Sequence, residues 1–93
     1  MKRVIEILCK EFRVEEADLK TSYNCDPNVK MVKWCFCLIV HNCHFKKPVR
    51  DRIITEYVYA FRADLWLEKA LSKLEKSPIF REKYEICLKK IYG

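Results

Sequence analysis

The interior of this chain lacks glycine, because its single glycine is the last residue, Gly93, and only three prolines accompany it. Hairpins and tight strand connections depend on residues that accept a positive φ, glycine above all. The sequence therefore disfavours an all-β architecture and favours helices joined by short connections. With 93 residues, 51% of them apolar, the chain is long enough for one domain with a single modest core.

Apolar residues recur at helical spacing along most of the chain. This periodicity predicts a first helix over residues 2–12, a short helical turn over 15–19, and longer helices over 28–43, 48–58, 62–76 and 78–91. Asn28 is the expected N-cap of the third helix, Pro48 the first residue of the fourth, and Ser77 the cap of the last. A polar loop is expected over 21–28. The predicted fold is all-α: a single domain, residues 1–93, forming a small bundle of five to six helices.

The apolar positions of each predicted helix fall on one face, which we expect to be buried. These faces include Cys43 on the third helix, Tyr57 on the fourth and Leu71 on the fifth. In the middle of the chain the full set is Val29, Val32, Phe36, Ile39, Val40 and Cys43; Val49, Ile53, Ile54 and Tyr57; and Leu67, Ala70, Leu71 and Leu74.

The net charge of +6 is concentrated in one stretch of the sequence. Residues 28–52 carry six bases against Asp51 alone, whereas residues 1–27 carry five bases and six acids, and residues 53–93 carry eight bases and six acids. Positive charge collected in one segment is typical of an anion-binding surface. The bases of the central stretch are Lys30, Lys33, Lys46, Lys47, Arg50 and Arg52.

The fifth predicted helix keeps its basic and acidic residues on different sides. Its basic side also carries Trp66. Lys69 and Lys73 are like-charge neighbours, as are Lys73 and Lys76, and each such pair costs about 0.2–0.5 kcal/mol. A helix selected for stability alone would alternate signs there. Two interpretations follow: a solvated lysine face with Trp66 packed on a neighbouring helix, or a surface for an external polyanion.

The fourth and fifth predicted helices match the anatomy of a helix-turn-helix, since a short link joins them and bases precede them. In that motif the second helix enters the major groove of duplex DNA while preceding residues hold phosphates. Asp64, Leu65 and Trp66 are then expected nearest the bases, where Leu65 would meet a thymine methyl and Asp64 a cytosine amine. The basic residues expected to contact DNA are Lys30, Lys33, Lys46, Lys47, Arg50, Arg52, Arg62, Lys69 and Lys73.

Three segments carry a resemblance to a known family. Residues 4–19 are similar to a first helix followed by a V-x-x-x-D-L step, residues 60–74 to the motif G-G-R-D-H-T-T-V-x-H-A-x-x-K-I, and residues 77–84 to the start of a final helix. These features resemble the C-terminal DNA-binding domain of the bacterial replication initiator DnaA, over nearly the whole chain. The resemblance implies a Trp-repressor-like helix-turn-helix fold and duplex DNA as the partner.

Within the motif segment the chain keeps part of the family pattern and changes part of it. Arg62 matches the motif arginine, and Ala-x-x-Lys-Leu at 70–74 matches the A-x-x-K-I tail. Ala-Asp-Leu at 63–65 replaces the D-H-T that reads bases, and Ala-Phe at 60–61 replaces the two glycines. The resemblance therefore predicts a DNA-binding protein with weak or altered sequence selectivity.

The sequence gives less support to a metal site or to an enzyme. Cys37, His41 and His44 stand at i, i+4 and i+7, but zinc would need a fourth ligand such as Cys25 or Cys43. Because no paired C-x-x-C is present, we expect buried thiols and boundary histidines, with no metal and no cofactor. The lack of internal glycine also removes phosphate-binding loops and the usual oxyanion turns, so an enzyme is not expected.

The chain is expected to be cytoplasmic. Its longest apolar run, Trp34–Val40, is far shorter than the roughly 18 residues that cross a bilayer, and charged residues such as Glu6 interrupt any secretory signal. Its cysteines are then expected to be reduced. Duplex DNA is the first expected partner. The alternatives are a protein bound through Trp66 and neighbouring aromatics, and then a metal-dependent regulator.

Overall fold

The computed structural model describes residues 1–20 and 26–93. It contains six helices and, within those residues, no strand, which confirms the all-α prediction. Most of the expected polar loop, residues 21–25 including Cys25, lies outside the described residues. The helices are α1 (Lys2–Phe12), α2 (Glu16–Leu19), α3 (Pro27–Asn42), α4 (Lys47–Val58), α5 (Ala63–Lys76) and α6 (Pro78–Tyr92).

Helix α3 is the centre of the bundle. Every residue from Val32 to Val40 is buried, on all sides of the helix, as expected for a helix surrounded by others. Helices α1, α2, α4 and α5 all contact it. Its C-terminal end is joined to α6 by a hydrogen bond of 3.1 Å that Asn42 Nδ2 donates to Tyr84 Oη.

The outer helices bury one stripe each, because they meet the bundle on one side only. Helix α1 buries four residues at helical spacing, from Ile5 to Phe12, and α6 buries Phe80, Tyr84 and Cys87. An ion pair between Lys90 and Glu11 also links α6 to α1. The long apolar periods read from the sequence therefore correspond to the buried stripes of the structure.

Side-chain caps start α3 and α6. Asp26, and not Asn28 as expected, caps α3: its Oδ1 accepts a hydrogen bond of 2.8 Å from the backbone N–H of Asn28, with Pro27 in the first position. A carboxylate is a strong N-cap, and proline suits the next position. Ser77 caps α6 as predicted, accepting from the backbone N–H of Phe80 at 3.3 Å.

The connections use left-handed residues that are not glycine. Arg13, His44, Tyr59 and Arg62 all have φ between 52° and 60°. This conformation costs an L-residue about 1–2 kcal/mol, so the packing of the helices must hold each one in place. Tyr59 and Arg62 bracket the four-residue link between α4 and α5.

Three residues expected in the core lie at the surface. Leu71 is 43% exposed, because the buried stripe of α5 runs through Ala63, Leu67 and Ala70 and leaves its neighbour at the edge. Tyr57 is 40% exposed while its ring packs against Phe36, with centroids 5.9 Å apart. Cys43 is exposed because it lies just past the end of α3, where its Sγ donates to the Ile39 carbonyl.

Candidate nucleic-acid interface

A cleft separates the N-terminal half of α3 from one flank of α5. We call it the tryptophan cleft, and its volume is about 220 Å³. Helix α3 contributes a lysine and a tryptophan four residues apart, and α5 contributes three residues over its first two turns. The lining residues are Lys30, Trp34, Leu65, Trp66 and Lys69.

A second depression of about 390 Å³ adjoins the tryptophan cleft, because the two share Lys30 and Trp34. It extends to Lys73 on α5 and to the start of α6, where Ile79 is 69% exposed. Its remaining lining residues are Pro27, Met31, Ser77 and Phe80. The first turn of α6 holds no acidic residue, so the positive end of that helix adds to the potential of the lysines.

The two indole rings of the protein form the aromatic part of the cleft. Trp34 and Trp66 lie with ring centroids 6.4 Å apart and planes tilted by 48°. Trp34 is only 8% exposed and meets Phe80 edge-on at 5.9 Å, whereas Trp66 is half-buried. Trp34 is therefore fixed by packing, and Trp66 is the indole with accessible surface.

Lysine ammonium groups lie over both rings. Lys73 Nζ is 5.6 Å from the centroid of the Trp34 ring, and Lys33 Nζ is 5.4 Å from that of Trp66. Such contacts contribute about 0.5–1 kcal/mol where they are exposed and more where they are desolvated. A cation thus lies over each of the two indoles of the cleft.

The indole N–H of Trp34 is an unsatisfied donor. Its Nε1 atom is buried and makes no hydrogen bond within the described part of the chain. Leaving such a donor unpaired costs about 1–3 kcal/mol, and most buried donors in proteins find a partner. One of the two indoles that line the cleft therefore carries an uncompensated polar atom.

Lys33 departs from its predicted place on the surface. Its residue is only 2% exposed, because α3 is enclosed on every side at this level. Burial lowers the pKa of its ammonium group from the ordinary lysine value. Lys33 therefore packs over the Trp66 ring and is not part of the exposed basic surface.

Helix α5 divides its exposed surface by charge. At about 100° per residue, Trp66, Lys73 and Lys69 follow one another on the side of the core stripe that faces α3. The opposite side of the stripe carries an acidic set: Asp64, Glu68 and Glu75. The segregation predicted from the sequence is present, and its basic half is the half that lines the cleft.

The bases of residues 46–52 form a separate group at the start of α4. Lys46, Lys47 and Arg52 are exposed, whereas Arg50 is half-buried and pairs with the neighbouring Asp51 at 3.0 Å. Helix α4 continues for six residues beyond Arg52, so about 9 Å of helix separates this group from the link to α5. None of the four lines the tryptophan cleft. The predicted DNA-binding residues therefore fall into two groups.

The link between α4 and α5 presents apolar side chains to solvent. Tyr59 and Phe61 are 40% and 53% exposed, and their rings meet edge-to-face with centroids 5.4 Å apart. Arg62 and Asp64 are exposed beside them, and Asp64 lies in the first turn of α5, where the helix dipole favours an acid.

The Cys37, His41 and His44 set does not converge. Cys37 is fully buried, His41 is exposed, and His44 lies past the helix in a left-handed conformation. Among the described residues no three histidine, cysteine or acidic side chains come together as a possible metal site. Burial raises the pKa of the Cys9 and Cys87 thiols to about 11, which keeps them protonated.

Sequence reasoning placed Lys30 of α3 among the DNA-contacting bases but missed the part that Trp34 plays in the cleft. Trp34 was expected only as part of an apolar run, and the apolar residues of the second depression, such as Phe80, only as core. A usable signal was the spacing of Lys30 and Trp34, which places a base and an indole on one helix face. Its pairing with Trp66 and Lys69 depends on how α3 and α5 pack.

Comparisons with known proteins add no relative. No protein-family model matches the chain, and neither a search of curated proteins nor one of solved structures finds a match. No helix within the described residues is long and apolar enough to cross a membrane.

Proposed function

We propose that this protein binds duplex DNA, chiefly through phosphates and with weak sequence selectivity. The observation that carries the proposal is the basic half of α5, which together with Lys30 surrounds the tryptophan cleft with positive charge. Like-charge lysines held in this way are destabilising by themselves and become favourable beside a polyanion. The resemblance to the DnaA C-terminal domain supports the same function.

The duplex would meet two basic groups. One is Lys30, Lys69 and Lys73 beside α5, and the other is the exposed set at 46–52. Arg62, exposed at the start of α5, would add a contact between them. Four to six phosphate contacts give a log–log salt slope of about −4 to −5, at −0.9 per contact.

Weak selectivity follows from the residues that α5 would present to base edges. Leu65 is 43% exposed and offers only an apolar contact, such as one to a thymine methyl. Asp64 and Glu68 are exposed on the acidic side of the helix, where phosphates repel them. A direct base contact is worth about 1–3 kcal/mol of discrimination, and this surface offers few.

The test is an anisotropy titration of a random-sequence duplex at two salt concentrations. The variant is Lys69→Gln with Lys73→Gln, and the matched control is Lys10→Gln with Lys89→Gln, exposed lysines of α1 and α6 that line neither depression. Both remove two charges. The cleft variant should reduce the magnitude of the slope by about 1.8, and the control should change it much less. Equal effects, or no duplex binding at low salt, would contradict the proposal.

A protein partner is the second candidate, favoured by the exposed aromatic pair Tyr59 and Phe61. Aromatic residues are enriched at binding hot spots. The same titration separates the two candidate functions. If the protein does not bind duplex at low salt, and if Trp66→Leu or Phe61→Ser abolishes binding of a protein partner, the protein is an interaction module.

A further inference from the structure

The tryptophan cleft has a shape that an intact duplex does not use. It is a recess beside α5 and not the outward face of that helix, and its walls are two indoles and Leu65. A paired base in a duplex has both of its faces covered by neighbouring bases. Aromatic side chains stack on bases that are unpaired, as in single strands and extruded nucleotides.

The charges around the recess fit the rest of a nucleotide. Lys30 stands on the α3 side and Lys69 on the α5 side, so an anion attached to a flat apolar group would meet both. Lys73 continues the positive surface into the adjoining depression, which Ile79 and Phe80 make apolar. Two recesses that share Lys30 and Trp34 suit a strand in which bases and phosphates alternate.

We propose that the tryptophan cleft binds an unpaired nucleobase of single-stranded DNA, stacked on Trp66, with its phosphate between Lys30 and Lys69. The inference rests on the proposed function in one respect, that the ligand is a nucleic acid. It adds a site that recognises an unpaired base. Stacking on an aromatic side chain tolerates every base, since each has a π-face. The site therefore accepts single strands with little regard to sequence.

The chain offers an internal reporter for this site. It has two tryptophans, and both line the cleft. Stacking of a base on Trp66 should quench the indole fluorescence, so the ligand used is a short oligothymidylate, titrated at low salt. Polyglutamate serves as a polyanion without bases. Quenching by the oligonucleotide and none by polyglutamate is the expected result; equal quenching by both would reduce the cleft to a general anion or acidic-peptide site and overturn the proposal.

Substitutions of uncharged residues test whether a base stacks in the cleft. Trp66→Leu should weaken oligothymidylate binding by about 5- to 140-fold, the effect of losing one base–aromatic stack. Trp66→Phe should restore most of it. Leu65→Ser should also weaken binding, whereas Leu71→Ser, equally exposed on the other side of α5, should not. If Trp66→Leu fails to fold by circular dichroism, the Leu65 and Leu71 pair decides.

The outcomes distinguish the two proposals. Duplex binding without quenching by oligothymidylate would overturn this inference and leave the proposed function standing. Quenching and tight binding of oligothymidylate without duplex binding would do the reverse. Indifference of oligothymidylate affinity to both Trp66→Leu and Leu65→Ser, in folded variants, would remove the cleft from single-strand recognition.

Discussion

Replacing Leu67 by alanine tests the orientation of α5, on which the tryptophan cleft depends. Leu67 is 5% exposed and lies on the stripe that faces the core, whereas Leu71, one turn further along, is 43% exposed. Burying a leucine fully is worth about 1.5–3 kcal/mol, and truncation in a core adds the cost of a cavity, for a total of about 2–5 kcal/mol. Leu71→Ala leaves no enclosed cavity and removes a half-exposed side chain, so it should cost roughly 1 kcal/mol or less.

The assay is urea unfolding followed by far-ultraviolet circular dichroism. The two variants make the same chemical change in one helix, so helix propensity cancels. The free energy of unfolding should differ between them by at least about 1 kcal/mol, or roughly 4–8 °C in Tm for a domain of this size. Equal losses, or a greater loss for Leu71→Ala, would show that α5 is rotated and that Leu65, Trp66 and Lys69 do not face α3.

Three further changes have expected outcomes. Ser77→Ala should lower the free energy of unfolding by about 0.5–2 kcal/mol in thermal melts, because the backbone N–H of Phe80 loses its cap; no change would contradict the cap. Arg13→Gly should be neutral or stabilising by up to about 1 kcal/mol in the same assay, since it relieves a left-handed residue at φ 56°; a clear loss would mean that the arginine is not strained there. Raising the pH above about 9 should destabilise the fold. The pKa of the buried Cys9 thiol is raised to about 11, so this thiol stays protonated in the folded protein and ionises on unfolding. The stability that the protonated thiol contributes is therefore lost as the pH rises through that range. Cys9→Ala should flatten this dependence while Cys43→Ala, at an exposed site, should not, and equal profiles would refute the assignment.

The helices were predictable because their signals are local. The bounds of α1 and the end of α5 agree with the predictions, since each stripe repeats every three or four residues and no glycine or proline interrupts it. The cap of α3 was misassigned because Asp26 and Asn28 are both good caps, and only Pro27, which suits the first helical position, favours Asp26.

The burial errors come from tertiary packing. Leu71 belongs to an apolar period, but the helices packed against α5, which are α3, α4 and α6, cover only part of its circumference, and the sequence does not say where that cover ends. Lys33 lies within a run that is buried on every side, and charge counting places any lysine in such a segment on the surface. The position of a helix in the bundle decides both cases.

Only the α5 side of the tryptophan cleft could be predicted from the sequence. The basic side of α5, with Trp66 on it, follows from helical geometry alone. The partner wall does not, because Trp34 and Trp66 are brought together by the packing of α3 against α5. For the same reason the bases at 46–52 and those of the cleft read as one group in the sequence and are two groups in the structure.

The most direct test of the central claim is a two-dimensional nitrogen–proton spectrum of the labelled protein, recorded with and without nucleic acid. The chain has two indole N–H groups, those of Trp34 and Trp66, so both walls of the cleft have a distinct resonance. Both indole signals should shift on addition of DNA, together with the backbone amides of Lys30 and Lys69. Shifts confined to the start of α4 or to the far side of α5, with both indole signals unmoved at saturation, would contradict the account.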